Sequence, residues 1–105
     1  MEERIEYEQL PVIALRGLVT FPSVTTHFEA GREKSLRAIE KAMKADQRVL
    51  LLPQRDLMDN DPDFDKLNPI GTVALIRQII RVPGEAARLL VTGQTRARVV
   101  TALKT

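Results

Sequence analysis

A chain of 105 residues and 11.8 kDa has room for one domain with a single core, which excludes a multi-domain machine within these residues. Hydrophobic residues make up 44% and charged residues 29%, the balance of a folded domain and not of a disordered tail. Cysteine is absent, so a disulfide framework, a thiolate metal site and a cysteine nucleophile are all excluded, and the net charge of +2 is too small to define a partner by itself.

The opening MEERIEYEQL is acidic and lacks the apolar stretch of a secretion signal, and residues 1–9 read as a flexible terminus ahead of one β subdomain over 10–105. No apolar run approaches the ~20 residues that cross a bilayer, so the expected location is the cytoplasm, with no membrane partner. Leu10–Leu15 is a short apolar run with β-branched members and reads as a strand, with Pro11 confined to its start or to a sheet edge. Arg16-Gly17 interrupts the run, which resumes at Leu18 and stops at Pro22. Val24–Glu29 alternates and is rich in β-formers, predicting a second strand that closes at Ala30-Gly31.

The period then changes. Between Arg32 and Ala45, residues Leu36, Ile39 and Met43 recur at helical spacing, Ser35, Ala38 and Ala42 widen the stripe, and the basic residues fall elsewhere. Val49–Leu52 has no polar alternate, as suits a central strand covered on both faces. Residues 53–69 form a connector dense in Pro, Asp and Asn. Its Asp59-x-Asp61-x-Asp63 string resembles the start of a calcium loop, but the positions that need Gly and Glu hold Phe64 and Ile70, so it reads as a solvated turn. Ile70–Val82 is a long strand, Pro83–Ala86 a turn and Arg88–Thr92 its hairpin partner. Gly93-Gln94-Thr95 is expected to break the chain before a last strand over Arg96–Leu103. The outline is β-β-α-β-β-β-β, a mostly β fold with one α-helix and a curled, barrel-like sheet.

Catalytic chemistry is missing from this pattern. The five glycines build no phosphate-cradling loop, and Ser23 and Ser35 are the only serines. Ser23 and His27, the single histidine, would stand ~13 Å apart along a strand, too far for a nucleophile–base pair. No residue is expected to be catalytic, to bind a cofactor or to ligate a metal, and the chain reads as a binding or interaction domain.

Charge is unevenly distributed. Residues 1–65 carry nine Lys/Arg against thirteen Asp/Glu, a net −4, and residues 66–105 carry seven against one, a net +6. This reads either as two halves of one fold attracting each other or as a nucleic-acid footprint through Arg77, Arg81, Arg88, Arg96 and Arg98. Aromatic residues are only 4%, which leaves few platforms on which bases could stack.

The order of motifs is specific. Leu10-Pro11-Val12-Ile13-Ala14-Leu15-Arg16, Phe21-Pro22, and Gly31-Arg32-Glu33-Lys34-Ser35 opening a helix with Ala42-Met43 come first. Val49–Leu52, Gln54-Arg55-Asp56, Ile70-Gly71-Thr72-Val73-Ala74, Pro83-Gly84 and Gly93–Arg98 follow. From Leu10 to Val100 this resembles the N-terminal domain of the ATP-dependent Lon proteases. Two departures stand out: Pro83-Gly84-Glu85 alters the family's commoner Pro-(Asp/Asn)-Gly turn, and the sequence stops at Thr105, where a Lon protein continues into helical, ATPase and serine–lysine protease modules. The resemblance implies a PUA-like pseudo-barrel that captures unfolded or damaged protein substrates and assists assembly of a homo-oligomer, a hexamer for the full-length protease. It implies no catalysis in this chain, with ATP and magnesium bound by the downstream modules only. PUA-like kinship also keeps a nucleic-acid-binding module as the alternative.

A receptor for misfolded chains must expose apolar surface of its own. If Ile80 pairs with Leu90, the even face of the long hairpin shows Ile76, Ile80, Val82 and Leu90 to solvent, while Val73, Leu75, Ile79, Leu89 and Val91 turn to the core. A slip of one residue interchanges the two sets. Phe21, Pro22 and Phe28 are expected to extend the patch. Burying ~300 Å² of a ligand's apolar surface contributes roughly 7 kcal/mol gross, most of it offset by lost freedom, so single-site affinity is weak and avidity across a hexamer compensates.

Overall fold

Ser35, Ala38, Ile39 and Ala42 are the buried residues of helix α1 (Glu33–Met43), and their three- and four-residue spacing is what lays one stripe of the helix on the sheet. Leu36 packs beside them half-buried, whereas Met43, in the last turn, is exposed. The helix ends where Gln47 takes the left-handed conformation (φ 65°) and both Ala45 and Gln47 donate their N–H to the Ala42 carbonyl.

The computed structural model describes residues 9–16, 21–56, 58, 64–81 and 86–100. Among these residues five strands flank the helix: β1 (Val12–Leu15), β2 (Thr25–Ala30), β3 (Arg48–Pro53), β4 (Ile70–Ile80) and β5 (Ala87–Arg98). They form one sheet in the order β1-β3-β4-β5-β2, parallel between β1 and β3 and antiparallel elsewhere. Pro11 precedes the edge strand β1 and uses only its carbonyl, which accepts the Leu50 N–H at 2.8 Å. The Val49–Leu52 run is buried on both faces as its sequence predicts, Val49 and Leu51 toward α1, Leu50 and Leu52 away from it. The expected terminus 1–9 falls mostly outside the described residues, as does the aspartate string.

The hairpin differs from its sequence reading in two places. Gly93-Gln94-Thr95 does not break the chain: β5 runs through it, because a bulge accommodates Gln94 between the pairs Ala74–Gly93 and Val73–Thr95. The expected two short strands are therefore one. A second bulge, at Arg77, lies between the pairs Ile76–Val91 and Gln78–Leu90, so Ile80 pairs with Arg88 and not with Leu90.

With these bulges included, period-two alternation sorts the whole sheet. The face under α1 gathers the main core, including Ile13, Leu15, Val49, Leu51, Ala74, Ile76, Leu89 and Val91. The outer face carries a smaller cluster of Leu50, Leu52, Leu67 and Val73, ringed by half-buried Leu10, Val12, Ala14, Ala97 and Val99. Although β1 and β2 are at opposite ends of the strand order, Ile13–Arg16 and Phe28–Gly31 line one cleft with the start of α1. The sheet therefore curls until its edges approach each other.

Candidate functional site

The outer face of β4, β5 and β2 is read directly from the register. Three cross-strand rows lie on it: Leu75–Thr92–Thr25, Gln78–Leu90–His27 and Ile80–Arg88–Glu29. Ile80 is 51% exposed, and Leu75 and Leu90 are half-buried. Polar neighbours tie down the rest: the Thr25 and Thr92 hydroxyls lie 3.0 Å apart, and Arg88 Nη2 reaches Glu29 Oε1 at 3.3 Å. Along β4 this strip runs on through Leu75 and Val73 into the outer apolar cluster, beyond which Val100 stands 71% exposed.

The sequence-predicted patch is therefore divided. Ile80 and Leu90 face outward as expected. Ile76 does not; it is 3% exposed in the core under α1, because Arg77 is an extra residue in the ladder and reverses the alternation on either side of it. The same reversal sends Val73 and Leu75 outward while Ile79 stays with the core. Val82 lies outside the described residues. Phe28 packs on the core side against the main cluster. Phe21 is half exposed, but its backbone lies over Gly93 on the α1 side of the sheet, with the Arg96 guanidinium 5.8 Å from its ring centre. Pro22, beside it, is half-buried. Phe21, Pro22 and Phe28 thus do not join Ile80 and Leu90. The outer cluster around Val12 and Ala97 was missed; its signal was the alternation of Val12 and Ala14 with Ile13 and Leu15.

The arginines of the nucleic-acid reading do not all share one face. Arg88 pairs with Glu29, Arg81 lies 3.9 Å from Glu40, and Arg96 belongs to the α1 side. His27 is exposed on the outer face. At the turn into β3, Arg48 donates from Nε and from its backbone N–H to the two oxygens of Asp46, which holds that carboxyl below its ordinary pKa of 3.8. Among the described residues no three His, Asp or Glu side chains come together as a metal site, and no helix is long and apolar enough to cross a membrane.

The cleft between the sheet edges has a volume of 220 Å³. Arg32, the residue preceding α1, contributes a guanidinium whose Nη2 donates to Gln54 Oε1 at 2.5 Å, and Gln54 in turn donates to the Asp56 carbonyl at 3.1 Å. The other terminal nitrogen, Nη1, is buried and has no acceptor among the described residues.

The chain is similar to known proteins along nearly its whole length. The family model described as the ATP-dependent protease La (LON) substrate-binding domain matches residues 9–105. A Lon protease of Clostridium acetobutylicum is 46% identical over 99 residues, covering 94% of this chain and 13% of that protein. A Lon protease of Brevibacillus choshinensis is 40% identical with the same coverage. The chain thus spans about an eighth of the length of these curated relatives. Among solved structures, the N-terminal domain of a Mycobacterium avium complex Lon protease superposes with a TM-score of 0.67 at 22% identity, over 88% of this chain and 45% of that one. A Lon N-terminal domain protein from Xanthomonas campestris gives 0.64 at 16% identity, over 88% and 49%. These two share the mostly β, one-helix fold seen here. By the family match over residues 9–105, the chain belongs to the Lon substrate-binding domain family.

Proposed function

We propose that this chain is a non-catalytic substrate-recognition domain of a cytoplasmic, ATP-dependent serine protease that degrades misfolded or damaged proteins. It binds exposed apolar segments of those proteins and helps the protease to assemble as a homo-oligomer. ATP and magnesium belong to other modules of such a protease, and no step in this chain involves them. The observation that carries the reading is the outer sheet face, where Ile80, Leu90 and Leu75 lie beside the half-buried ring of Leu10, Val12, Ala14, Ala97 and Val99. An apolar strip bordered by Gln78, His27, Thr25 and Arg88 suits a segment that has lost its own core: greasy side chains find partners, and the polar border keeps the free domain soluble.

The test is a titration of the domain, followed by its amide resonances, with one protein in native and in permanently unfolded form. The unfolded form is expected to shift residues 73–80 and 88–92 with weak affinity, and the native form to leave them unmoved. Equal responses to both forms would remove the reading.

A further inference from the structure

We propose that the cleft between the two sheet edges is a carboxylate-binding pocket, with Arg32 as its principal ligand. The proposal deepens the substrate-binding reading by naming a chemical group on the bound segment, and it rests on a different part of the surface from the apolar strip.

Arg32 Nη1 is a buried guanidinium donor with no acceptor among the described residues, an arrangement folded proteins rarely leave unsatisfied. Its partner nitrogen already holds Gln54, which restrains the guanidinium beside the cleft that Arg32 lines. The same cleft is lined by Arg32, by the buried Ser35 in the first turn of α1, and by Arg16. Among the described residues the one acidic residue in the lining, Glu29, is engaged by Arg88 on the outer face. Among the described residues the lining thus brings the Arg32 side chain and the Ser35 hydroxyl to one cleft whose wall includes the apolar Ile13, Leu15 and Phe28. A carboxylate fits both demands: it takes charge-assisted hydrogen bonds from the guanidinium, while the carbon chain behind it lies on the apolar wall.

A volume of 220 Å³ accommodates a carboxylate with one or two residues. The group can arise from a chain's C-terminus or from an acidic side chain, and both present the same chemistry. Neither source depends on the strip of Ile80 and Leu90, which lies on the other side of β2.

The experiment titrates the 105-residue chain with N-acetylalanine, with N-acetylalanine amide, and with N-acetylglutamate amide, reading the Arg32 side-chain and the 13–16 and 28–35 amide resonances. The two carboxylates are expected to shift this set, and the tighter of them identifies the source, terminus or side chain. The neutral amide is expected to leave it in place. Arg32→Gln should weaken carboxylate binding by about tenfold or more, and Ser35→Ala, a milder change, by roughly threefold to fivefold. No shift with either carboxylate, or an equal shift with the neutral amide, overturns the pocket whatever the unfolded protein does. Loss of unfolded-protein binding at the apolar strip with carboxylate binding intact would remove the broader reading and leave the pocket standing.

Discussion

Gly93 lies directly beneath Phe21: a Cβ placed on Gly93 would run into the Phe21 carbonyl oxygen and come within 2.9 Å of its carbon and 3.3 Å of Pro22 Cα. Two hydrogen bonds hold the turn in that position, Ser23 N–H to the Gly93 carbonyl at 2.8 Å and Gly93 N–H to the Val24 carbonyl at 3.0 Å. The obstacle is backbone, not the end of a flexible side chain. Gly93→Ala must therefore displace the Phe21–Val24 turn, and about 2–3 kcal/mol of stability should be lost. Urea unfolding measures it directly, and a loss under about 0.5 kcal/mol would show that the turn is free to move.

The end of α1 gives a prediction of opposite sign. Gln47 holds φ 65°, where a side chain is strained, yet its N–H bonds the Ala42 carbonyl and its own carbonyl accepts the Ile76 N–H at 2.8 Å. Glycine keeps both bonds and removes the strain of about 1–2 kcal/mol, against a smaller entropic cost in the unfolded chain. Gln47→Gly should raise stability by about 0.5–1 kcal/mol, seen as a higher urea midpoint at unchanged slope.

Acid sensitivity should be traceable to Asp46. Its carboxyl is lowered from 3.8 chiefly by the side-chain hydrogen bond from Arg48, with a smaller contribution from the Arg48 backbone N–H. The folded state thus favours the charged form. The contribution to stability is complete above the ordinary value of 3.8 and disappears as pH falls through the lowered folded-state value. Asp46→Asn should accordingly be less stable than the parent at pH 7, with the difference shrinking below pH 3.8. Because the pair is solvent-exposed, the difference at pH 7 should also diminish in high salt. A gap that stays constant from pH 7 to pH 2 would show that the ion pair is not its source.

How much of this was legible in the sequence depends on where the alternation runs unbroken. Helix α1 and strand β3 are read correctly because Ser35–Ala42 and Val49–Leu52 each keep one period from end to end. The hairpin is read correctly as an element and wrongly as a surface. Arg77 is an ordinary residue in a strand sequence, and nothing local marks it as the extra one that turns Ile76 inward. Gly93 does mark the second irregularity, but a glycine signals a break and a bulge alike, and the close approach of Phe21 that requires it comes from 72 residues away in the chain. Arg32 was visible as part of a family motif. Its unsatisfied nitrogen is a property of the curled sheet and of Gln54, which only the fold brings together.

Ile76 and Ile80 separate the two meanings of an apolar residue in β4. Ile76 is enclosed by the core under α1, so Ile76→Ala should cost about 2–4 kcal/mol and lower binding only by unfolding part of the population. Ile80, 51% exposed on the outer face, should tolerate Ile80→Ser within about 0.5 kcal/mol. The same substitution should weaken binding of unfolded protein roughly threefold to tenfold, by withdrawing one side chain from the strip. Parallel measurement of urea midpoints and of affinity for the unfolded protein distinguishes these effects. If Ile80→Ser and Leu90→Ser, alone and together, bind as tightly as the parent, the outer face is not where apolar segments are held.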